Sequence, residues 1–347
     1  MQFATLGSTD LRISRFTLGT AFRQGGEEAV ARATIDAALD AGCNSFDTSN
    51  VYHIERGVDA DANREGSESE YILGRAMKGR RDQFILTTKV GAPETDDPTA
   101  KGLGRENILR GCERSLQRLG TDYIDLYLCH FPDPTVPIDE TLEALATLIG
   151  QGKVRHAGCS SFEAWRLCQA LSASDRLGFP RFACNQLGYS LLDRRIEDEL
   201  LSYAELEGVG ITVFAPTAIG LLSGRYSLGQ PPPMGSTWHR GPYNYLAAMT
   251  PHVGRVIDGV VDIAQQRGRT PTQVALAWCL TRPQVSSVVI GCDTPERARE
   301  NFAATDWVLP PDDAQRLDAL SDGLRLKVRK DAPNGYESPP PGIGLSR

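Results

Sequence analysis

The chain has 347 residues, of which 41% are hydrophobic and 23% are charged, and its formal net charge is −7. This balance is typical of a globular protein, and a chain of this length can bury a large core without disulfides or a structural metal. Nucleic acid is a poor candidate partner, because its binding depends on basic clusters and this acidic chain has no Lys/Arg block. No apolar stretch reaches the ~18 residues of a membrane-spanning helix. The first five residues do not resemble a signal peptide, so we expect a cytoplasmic protein without a membrane partner.

The first predicted element is a short hairpin that pairs residues 2–5 with residues 11–13 through a turn rich in Gly and Asp. Short β-rich runs then alternate with longer amphipathic stretches. The predicted strands are residues 16–20, 44–48, 84–90, 124–130, 154–160, 182–186, 211–215 and 288–291. The predicted helices lie at about 27–41, 67–78, 105–119, 138–151, 162–172, 195–207, 253–267 and 272–281.

Strands that alternate with helices predict a parallel sheet with right-handed crossovers. Eight such units favour an α/β fold of one (β/α)8 TIM barrel that covers residues 1–347 as a single domain. Residues 1–15 are expected to close the bottom of this barrel. A doubly wound open sheet is the alternative.

Three segments interrupt the alternation, namely residues 53–67, residues 217–251 and the tail 324–347. Long irregular segments in a compact domain are usually functional lids or disordered. The loops that follow the strands of a barrel form its active-site face, so the first two segments are predicted to wall a substrate pocket. The tail is either a third wall or a disordered end.

The eight cysteines include no C-x-x-C pair, and several of them, such as Cys129 within the run 124–130, lie among apolar residues. This pattern is typical of buried, reduced thiols. We therefore expect neither a cysteine metal site nor a disulfide framework.

Four ionisable side chains lie at the ends of consecutive predicted strands. Asp47 ends the second strand and Tyr52 follows it, while Lys89 ends the third strand and His130 the fourth. Because catalysis in a barrel takes place at the carboxyl ends of its strands, we expect these four groups to converge. Each of these residues alone has an ordinary structural explanation, such as a tyrosine packed in a loop or a core histidine with its hydrogen bonds made. The prediction therefore depends on finding all four together.

Together the four residue types form a proton donor and acceptor for a carbonyl oxygen. A tyrosine hydroxyl is a weak acid at neutral pH, and a nearby ammonium stabilises its phenolate. Lys89 is expected to supply this charge, and Asp47 to hold Lys89 in place and protonated. His130 is expected to hydrogen-bond a substrate oxygen and to stabilise charge that develops there. The set contains no activated nucleophile, which favours acid–base chemistry.

The sequence around these residues strongly resembles the aldo-keto reductases, in the branch of the potassium-channel β-subunits and related bacterial enzymes. The matching motifs are residues 46–52 (FDTSNVY), 88–89 (TK) and 119–134 (LGTDYIDLYLCHFPDP). The resemblance extends from the hairpin to about Phe302. It implies a nicotinamide-dependent oxidoreductase whose catalytic tetrad is Asp47, Tyr52, Lys89 and His130. Tyr52 would be the general acid in reduction and the general base in oxidation.

No G-x-G-x-x-G motif follows the first strand, and the resemblance instead implies a dinucleotide laid across the barrel mouth. The implied cofactor contacts are Thr20, Ser160, Ser161, Gln186, Phe214, Ala215, Pro216, Leu221, Gly224, Arg225, Gly291, Asp293, Arg297, Glu300 and Asn301. Residues 220–225 would cover the pyrophosphate, where small residues permit close approach of the backbone. Residues 291–301 would hold the adenosine end, where Pro295 opens a helix whose N-terminus favours phosphate.

Three positions depart from the family pattern. The family usually has Ser-Asn where this chain has Ser-Ser at 160–161, and it often has tyrosine in place of Phe214, although stacking needs only the ring. Asp293 stands where many members carry a basic residue, and its carboxylate would repel a 2′-phosphate and accept from a ribose hydroxyl. Arg297 and Arg225 favour phosphate. The balance favours NADP(H), with NAD(H) possible.

Three functions stay open from the sequence. The first is an active reductase or dehydrogenase of aldehydes, ketones, alcohols or sugars, and the polar loop residues favour a hydroxylated substrate. The candidate pocket residues are His53, Glu55, Arg56, Trp238, His239, Arg240, Tyr243 and Tyr245. The second is a cofactor-binding regulatory subunit similar to the potassium-channel β-subunits, which does not require a complete tetrad. The third, a metal-dependent hydrolase or lyase using His53 and Glu55 with Asp47 and His130, is disfavoured because two of these ligands lie in an irregular loop.

Overall fold

The computed structural model describes residues 1–22, 27–52, 67–94, 100–240 and 244–326. An antiparallel hairpin of β1 (Phe3–Thr5) and β2 (Arg12–Ser14) precedes eight parallel strands. These are β3 (Phe16–Gly19), β4 (Ser45–Asp47), β5 (Ile85–Val90), β6 (Ile124–Cys129), β7 (Val154–Ser160), β8 (Cys184–Gly188), β9 (Gly210–Phe214) and β10 (Val285–Gly291). They close into a barrel in the order β10-β3-β4-β5-β6-β7-β8-β9, which confirms the predicted (β/α)8 fold and excludes the open sheet.

Helices connect the strands and cover the outside of the barrel. They are α1 (Glu28–Asp40), α2 (Glu68–Met77), α3 (Arg105–Leu119), α4 (Ile138–Gly150), α5 (Ala164–Leu177), α6 (Leu200–Leu206), α7 (Thr237–Arg240), α8 (Tyr245–Ala248), α9 (Pro251–Arg267), α10 (Pro271–Cys279), α11 (Pro295–Phe302) and α12 (Pro311–Leu320). Their ends follow local signals. Thr270, for example, caps α10 by accepting the backbone N–H of Gln273, and Pro271 occupies the first turn. Within the described ranges, every helix is too short or too polar to span a bilayer.

The structure differs from the predicted elements after β8 and after β9. The predicted helix 195–207 is divided, because a short 3-10 helix at Arg195–Glu197 precedes α6. The segment 217–251, which was expected to be irregular, contains a 3-10 helix at Leu221–Ser223 as well as α7 and α8. Each of these pieces is only one turn long, so it leaves no hydrophobic periodicity in the sequence.

The sequence prediction omits α12, although the start of this helix carries recognisable signals. Pro311 lies in its first turn, and the acidic residues Asp312 and Asp313 lie there too. Proline at the first helical position and acidic residues near a helix N-terminus are both favourable. The helix packs against α9, since Arg267 Nε lies 2.7 Å from Asp313 Oδ2.

Two apolar clusters hold the barrel together. The larger lies between the strands and the helices and contains the fully buried Phe16, Phe46 and Trp278. The smaller forms where hairpin side chains, including Leu6, pack against Leu126 and its neighbours on β6. The hairpin turn lies at the amino end of β9, because the Ser8 backbone N–H donates to Gly208 O at 2.8 Å. The hairpin therefore packs at the end of the barrel opposite to the strand ends that carry the candidate site.

Seven of the eight cysteines are buried, as their apolar surroundings predict, and Cys168 on α5 is exposed. Burial raises the pKa of Cys43 to about 11 and the pKa of Cys129 to about 12. Both thiols are therefore protonated and unreactive at neutral pH.

Candidate active site

Lys89 and Asp47 form a buried ion pair at the carboxyl ends of β5 and β4. The register of these strands aligns Asp47 with Thr87, two residues before Lys89, so both charged side chains point into the barrel. Lys89 Nζ lies 2.8 Å from Asp47 Oδ1 and 2.7 Å from Oδ2, and it also donates to Thr48 O at 2.9 Å. Tyr52 Oη lies 3.3 Å from the same Nζ atom. One ammonium group therefore contacts a carboxylate, a carbonyl and a phenol.

The charge state of Lys89 follows from two opposing effects. Burial lowers the pKa of Lys89, but the negative charge of Asp47 and the contact with Tyr52 outweigh burial, and the net shift is upward. A buried lysine without a counterion would instead lose its proton. Lys89 is therefore a cation at neutral pH, and its charge beside Tyr52 Oη stabilises that oxygen when it gives up a proton.

Tyr52 lies in the loop after β4, and the backbone of this loop is fixed at several points. Ser67 Oγ donates to Tyr52 O at 2.9 Å, and the Ser69 backbone N–H donates to the same oxygen at 3.1 Å. Asn50 Nδ2 donates to Ala92 O at 3.2 Å, which joins this loop to the loop after β5. The phenol is therefore held at the mouth of the barrel, half-buried, by contacts on both sides of it.

His130 follows β6 and completes the predicted group of four. Its backbone N–H donates to Val90 O at 2.8 Å, which draws it against the end of β5. The imidazole stacks on Phe131 with ring centroids 4.3 Å apart and meets the Tyr52 ring edge-on at 5.9 Å. Burial, helped by the charge of Lys89, lowers the pKa of His130 well below its ordinary value of 6.5. The imidazole is thus neutral at neutral pH.

Gln186 and Thr20, which the resemblance assigns to the cofactor, also contact Asp47. Gln186 Nε2 donates to Asp47 Oδ1 at 2.8 Å, and Thr20 Oγ1 donates to Asp47 O at 3.0 Å. Sequence reasoning misses the contact of Gln186 because β8 and β4 lie on opposite sides of the barrel. Only closure of the sheet brings their ends together across the interior.

A second group of charges lies behind the tetrad, in which Arg114 is partly exposed and the other members are buried, and we call Glu70, Glu94, Arg114 and Arg118 the arginine–glutamate cluster. Glu70 accepts hydrogen bonds from Thr88 Oγ1 at 2.5 Å and from Arg118 Nε at 2.6 Å. Glu94 Oε1 lies 2.5 Å from Arg118 Nη1, and Glu94 Oε2 lies 2.6 Å from Arg114 Nη2. The side chains of Glu70 and Glu94 are 0% and 1% exposed. The cluster ties β5 and the loop after it to α2 and α3.

The predicted cofactor residues after β7, β8 and β9 lie along one edge of the barrel mouth. Ser161 adopts a φ of 61° and donates its backbone N–H to Gln186 O at 2.9 Å, directly after the buried Ser160. Phe214 ends β9 and is 36% exposed, and Ala215 follows with a φ of 55°. Positive φ at non-glycine residues is uncommon and strained, and such residues cluster at functional sites. The exposed ring is available for stacking on a flat ligand.

Asp293 and Arg297, whose opposite charges argue for different cofactors, form an ion pair with each other. Arg297 Nη1 lies 3.4 Å from Asp293 Oδ2, and the two side chains are 46% and 18% exposed, respectively. Each charge therefore weakens the effect of the other on a ligand phosphate. Among the predicted contacts after β9, Leu221 is fully buried and Arg225 is exposed.

The remaining predicted contacts surround the start of α11. Gly291 ends β10, and a side chain added there would meet open space. Thr294 caps α11 by accepting the backbone N–H of Arg297. Glu300 is exposed, whereas Asn301 is buried and donates from Nδ2 to Cys292 Sγ at 3.5 Å.

Several predicted pocket residues, namely His53, Glu55, Arg56 and Tyr243, lie outside the described residues, as do the Arg240 side chain and the tail from 327. Trp238 and Tyr245 are buried, 4% and 5% exposed, with ring centroids 6.2 Å apart. These two rings pack within the segment 217–251 instead of presenting a stacking face. In the part of the chain that the structure describes, no group of three or more His, Cys, Asp or Glu residues could hold a metal ion.

Comparison with known proteins agrees with this architecture. The sequence model of the aldo/keto reductase family matches residues 15–322. A probable voltage-gated potassium channel subunit beta of Oryza sativa subsp. japonica is 33% identical over 332 residues, which cover 92% of this chain and 96% of the relative. A putative subunit of the same name from Schizosaccharomyces pombe is 33% identical over 94% of this chain and 95% of its own length. The uncharacterized oxidoreductase YrpG of Bacillus subtilis is 32% identical over 93% of this chain and 97% of its own length.

Proposed function

This chain belongs to the aldo/keto reductase family, and we propose that it transfers hydride between a nicotinamide dinucleotide and the carbonyl or alcohol carbon of a small molecule. The observation that carries the proposal is the contact of Lys89 Nζ with both Asp47 and Tyr52. A buried ammonium beside a phenol oxygen stabilises that oxygen in its deprotonated form. Aldehydes and ketones in one direction, and alcohols or sugars in the other, are substrates for such a group.

The residues at the mouth fit a dinucleotide that lies across it. The exposed Phe214 ring offers a stacking face, and the open space at Gly291 permits close approach of a ligand. Ser160, Ser161 and Gln186 would hold the nicotinamide carboxamide, and residues 291–301 would hold the adenosine end. When bound, the dinucleotide supplies the hydride in reduction and accepts it in oxidation.

The proton is moved by the chain's own side chains. In reduction, Tyr52 Oη donates its proton to the carbonyl oxygen, and Lys89 stabilises the phenolate that remains. Asp47 keeps Lys89 charged and in position. His130 hydrogen-bonds an oxygen of the substrate and orients it. In oxidation the Tyr52 oxygen accepts the proton of the alcohol, and the same contacts act in reverse.

We propose NADP(H) as the favoured cofactor, with NAD(H) also able to bind. Arg297 and Arg225 support the choice, since guanidinium groups pair well with a 2′-phosphate. The ion pair of Arg297 with Asp293 reduces the expected preference. Parallel fluorescence titrations with NADPH and NADH measure it directly, and failure to bind either cofactor would contradict the proposed function.

Tyr52→Phe tests the catalytic assignment. We expect turnover of a small aldehyde to fall by about 10²–10⁴-fold, because the variant loses its general acid, while the dissociation constant of the cofactor stays nearly unchanged. Tyr71→Phe is a matched control, since Tyr71 lies on α2 with 45% of its surface exposed. Near-normal turnover in Tyr52→Phe would remove Tyr52 from the mechanism.

A second candidate function is a regulatory, cofactor-binding subunit with little turnover. It is favoured by the relatives from Oryza sativa and Schizosaccharomyces pombe, which are named as a probable and a putative voltage-gated potassium channel subunit beta. The close contact of Lys89, Asp47 and Tyr52 argues for turnover, because binding alone does not need a buried ammonium beside a phenol. Cofactor binding with negligible turnover on a panel of aldehydes and ketones would favour the regulatory role.

A further inference from the structure

Glu70 is a buried carboxylate that joins the strand carrying Lys89 to the helix that holds Tyr52. It lies in the first turn of α2, and its side chain is 0% exposed. Glu70 Oε1 accepts a hydrogen bond from Thr88 Oγ1 at 2.5 Å, and Thr88 directly precedes Lys89 on β5. Successive side chains of a strand face opposite sides of the sheet. Glu70 therefore reaches β5 from outside the barrel, while Lys89 points inside.

The first turn of α2 also holds the backbone of Tyr52. Ser67 caps the helix by accepting the Glu70 backbone N–H at 3.2 Å, and it gives its own hydroxyl hydrogen to Tyr52 O at 2.9 Å. The Ser69 backbone N–H donates to the same carbonyl oxygen at 3.1 Å. Ser69 Oγ donates in turn to Thr20 O at 2.6 Å, which fixes the helix against the end of β3. A movement of the start of α2 would therefore move Tyr52 with it.

Arg118 on α3 holds the other oxygen of the Glu70 carboxylate. Arg118 Nε donates to Glu70 Oε2 at 2.6 Å. Burial lowers the pKa of Arg118, but the charges of Glu70 and Glu94 outweigh burial and the net shift is upward. Cys112 and Tyr127 also face Glu70, and burial raises the pKa of both, so they stay neutral. One oxygen of Glu70 is thus bound by a permanent cation, and the other faces β5.

We propose that Glu70 is a positioning residue for proton transfer, which keeps Lys89 Nζ in contact with Tyr52 Oη by joining β5 to the start of α2. This inference rests on the proposed function and adds a residue outside the tetrad to its machinery. The two atoms lie 3.3 Å apart. The stabilisation of a phenolate by an ammonium falls as the distance between them grows. Without the link through Thr88, α2 and β5 are free to separate, and the phenol becomes a weaker acid.

A structural role alone would give a different result from a positioning role. A buried ion pair that only stabilises the fold changes the free energy of unfolding and leaves the active site of the folded molecules as it was. Asp125 provides the comparison, because it is also a buried carboxylate, with its side chain 2% exposed. It pairs with Arg81 at 2.7 Å and accepts the Leu86 backbone N–H at 2.9 Å, near the opposite end of β5.

Four variants separate these roles. Thr88→Val removes the hydroxyl that donates to Glu70 and leaves every charge in place, whereas Thr88→Ser keeps the hydroxyl and should restore wild-type behaviour. Glu70→Gln removes the charge that faces Arg118, and Asp125→Asn is its matched control. If Glu70→Gln does not fold, the two Thr88 variants still decide the question.

Carbon-13 NMR of protein labelled at the tyrosine Cζ atom measures the ionisation of Tyr52 without any turnover. The chain has 10 tyrosines, and the Tyr52 signal is assigned by its loss in Tyr52→Phe. We expect Thr88→Val and Glu70→Gln to raise the pH at which Tyr52 loses its proton by about 0.5–1 pH unit, as for a cation displaced by about 1 Å. Thr88→Ser and Asp125→Asn should titrate like wild type. An unchanged titration in Thr88→Val overturns the inference.

The pH profile of aldehyde reduction by NADPH provides the second readout. The pH dependence of kcat/KM reports the ionisation of the essential acid, so its basic limb should move to higher pH in Thr88→Val and Glu70→Gln. We expect kcat/KM at neutral pH to fall about 10–10²-fold in both, with an unchanged Kd for NADPH. Equal profiles for Thr88→Val and Asp125→Asn overturn the inference. If wild type reduces no aldehyde of a panel, the proposed function fails, while the NMR titration still decides whether Glu70 sets the contact.

Discussion

The two sides of the barrel mouth differ in how deeply their charged side chains are buried and in how these charges are paired. On the side of β4, β5 and β6, Asp47, Lys89 and His130 are buried and contact one another or their immediate neighbours. On the side of β9 and β10, Phe214 is 36% exposed, and the Arg297 side chain is 46% exposed and lies 3.4 Å from Asp293. Buried charges are tolerated only when fully paired, so the first side is fixed before a ligand arrives. The exposed side can rearrange around a ligand at little cost.

The strongest test of the buried side is Asp47→Asn, which removes the counterion of Lys89. We expect the free energy of unfolding to fall by about 3–5 kcal/mol, because an uncompensated charge is left in the interior, and turnover to fall with it. Denaturant unfolding measures the first effect. Asp262→Asn is the control, since its ion pair with Arg316 is exposed, 53% and 43%, and should contribute less than about 1 kcal/mol. Equal losses in the two variants would contradict the difference between the buried and exposed pairs.

A somewhat smaller effect is expected from Glu94→Gln in the arginine–glutamate cluster. The change removes the negative charge that pairs with Arg114 and leaves Arg118 paired with Glu70, and we expect about 2–3 kcal/mol less stability in denaturant unfolding. The matched control is Glu106→Gln, whose pair with Arg110 on α3 is 67% and 63% exposed and should contribute about 0.5 kcal/mol or less. If Glu94→Gln is as stable as wild type, the cluster does not anchor the loop after β5.

The lowered pKa of His130 predicts a specific pH dependence of stability. In the unfolded chain this imidazole takes up a proton near pH 6.5, whereas in the folded protein it stays neutral. Its favourable contribution is therefore complete above pH 6.5 and is lost as the pH falls below that value, by up to ~1.4 kcal/mol per pH unit. Urea denaturation at about pH 7.5 and about pH 5.5 should show a larger loss for wild type than for His130→Gln. Parallel losses in the two proteins would mean that His130 titrates normally when folded.

The smallest expected effect concerns the ion pair of Asp293 and Arg297 on the exposed side of the mouth. Asp293→Asn frees Arg297 from its ion pair, and we expect affinity for NADPH to rise about threefold while affinity for NADH stays constant. Fluorescence titration with both cofactors measures the change. Glu296→Gln is the control, because Glu296 pairs with Arg299 on the same helix and is 78% exposed. An equal gain for NADH would show that Asp293 acts on the ligand in another way.

The barrel was predictable because each strand is a short apolar run followed by an amphipathic helix, and the four ionisable groups were predictable because they end consecutive strands. The contact of Gln186 with Asp47 could not be predicted, because β8 and β4 come close to each other only when the sheet closes into a barrel. The arginine–glutamate cluster was also missed, because charged residues on helices ordinarily face solvent. Asp293 and Arg297 are four residues apart at the start of α11. A spacing of four residues favours an ion pair between the two side chains. The choice between NADP(H) and NAD(H) should therefore have treated the two charges as a pair.

The positions of the cysteines allow local opening of the structure to be measured by chemical labelling. We expect a thiol reagent to modify Cys168 alone in the folded protein, because the other seven thiols are buried and would react only when the structure around them opens. Cys129 and Cys159 lie opposite each other in the register of β6 and β7. Cys292 directly follows β10 on the exposed side of the mouth. Short pulses of reagent followed by peptide mass measurement would therefore give the rate of local opening separately for the two sides of the barrel mouth. The natural sequence already contains the markers for that experiment, with one external thiol as an internal standard.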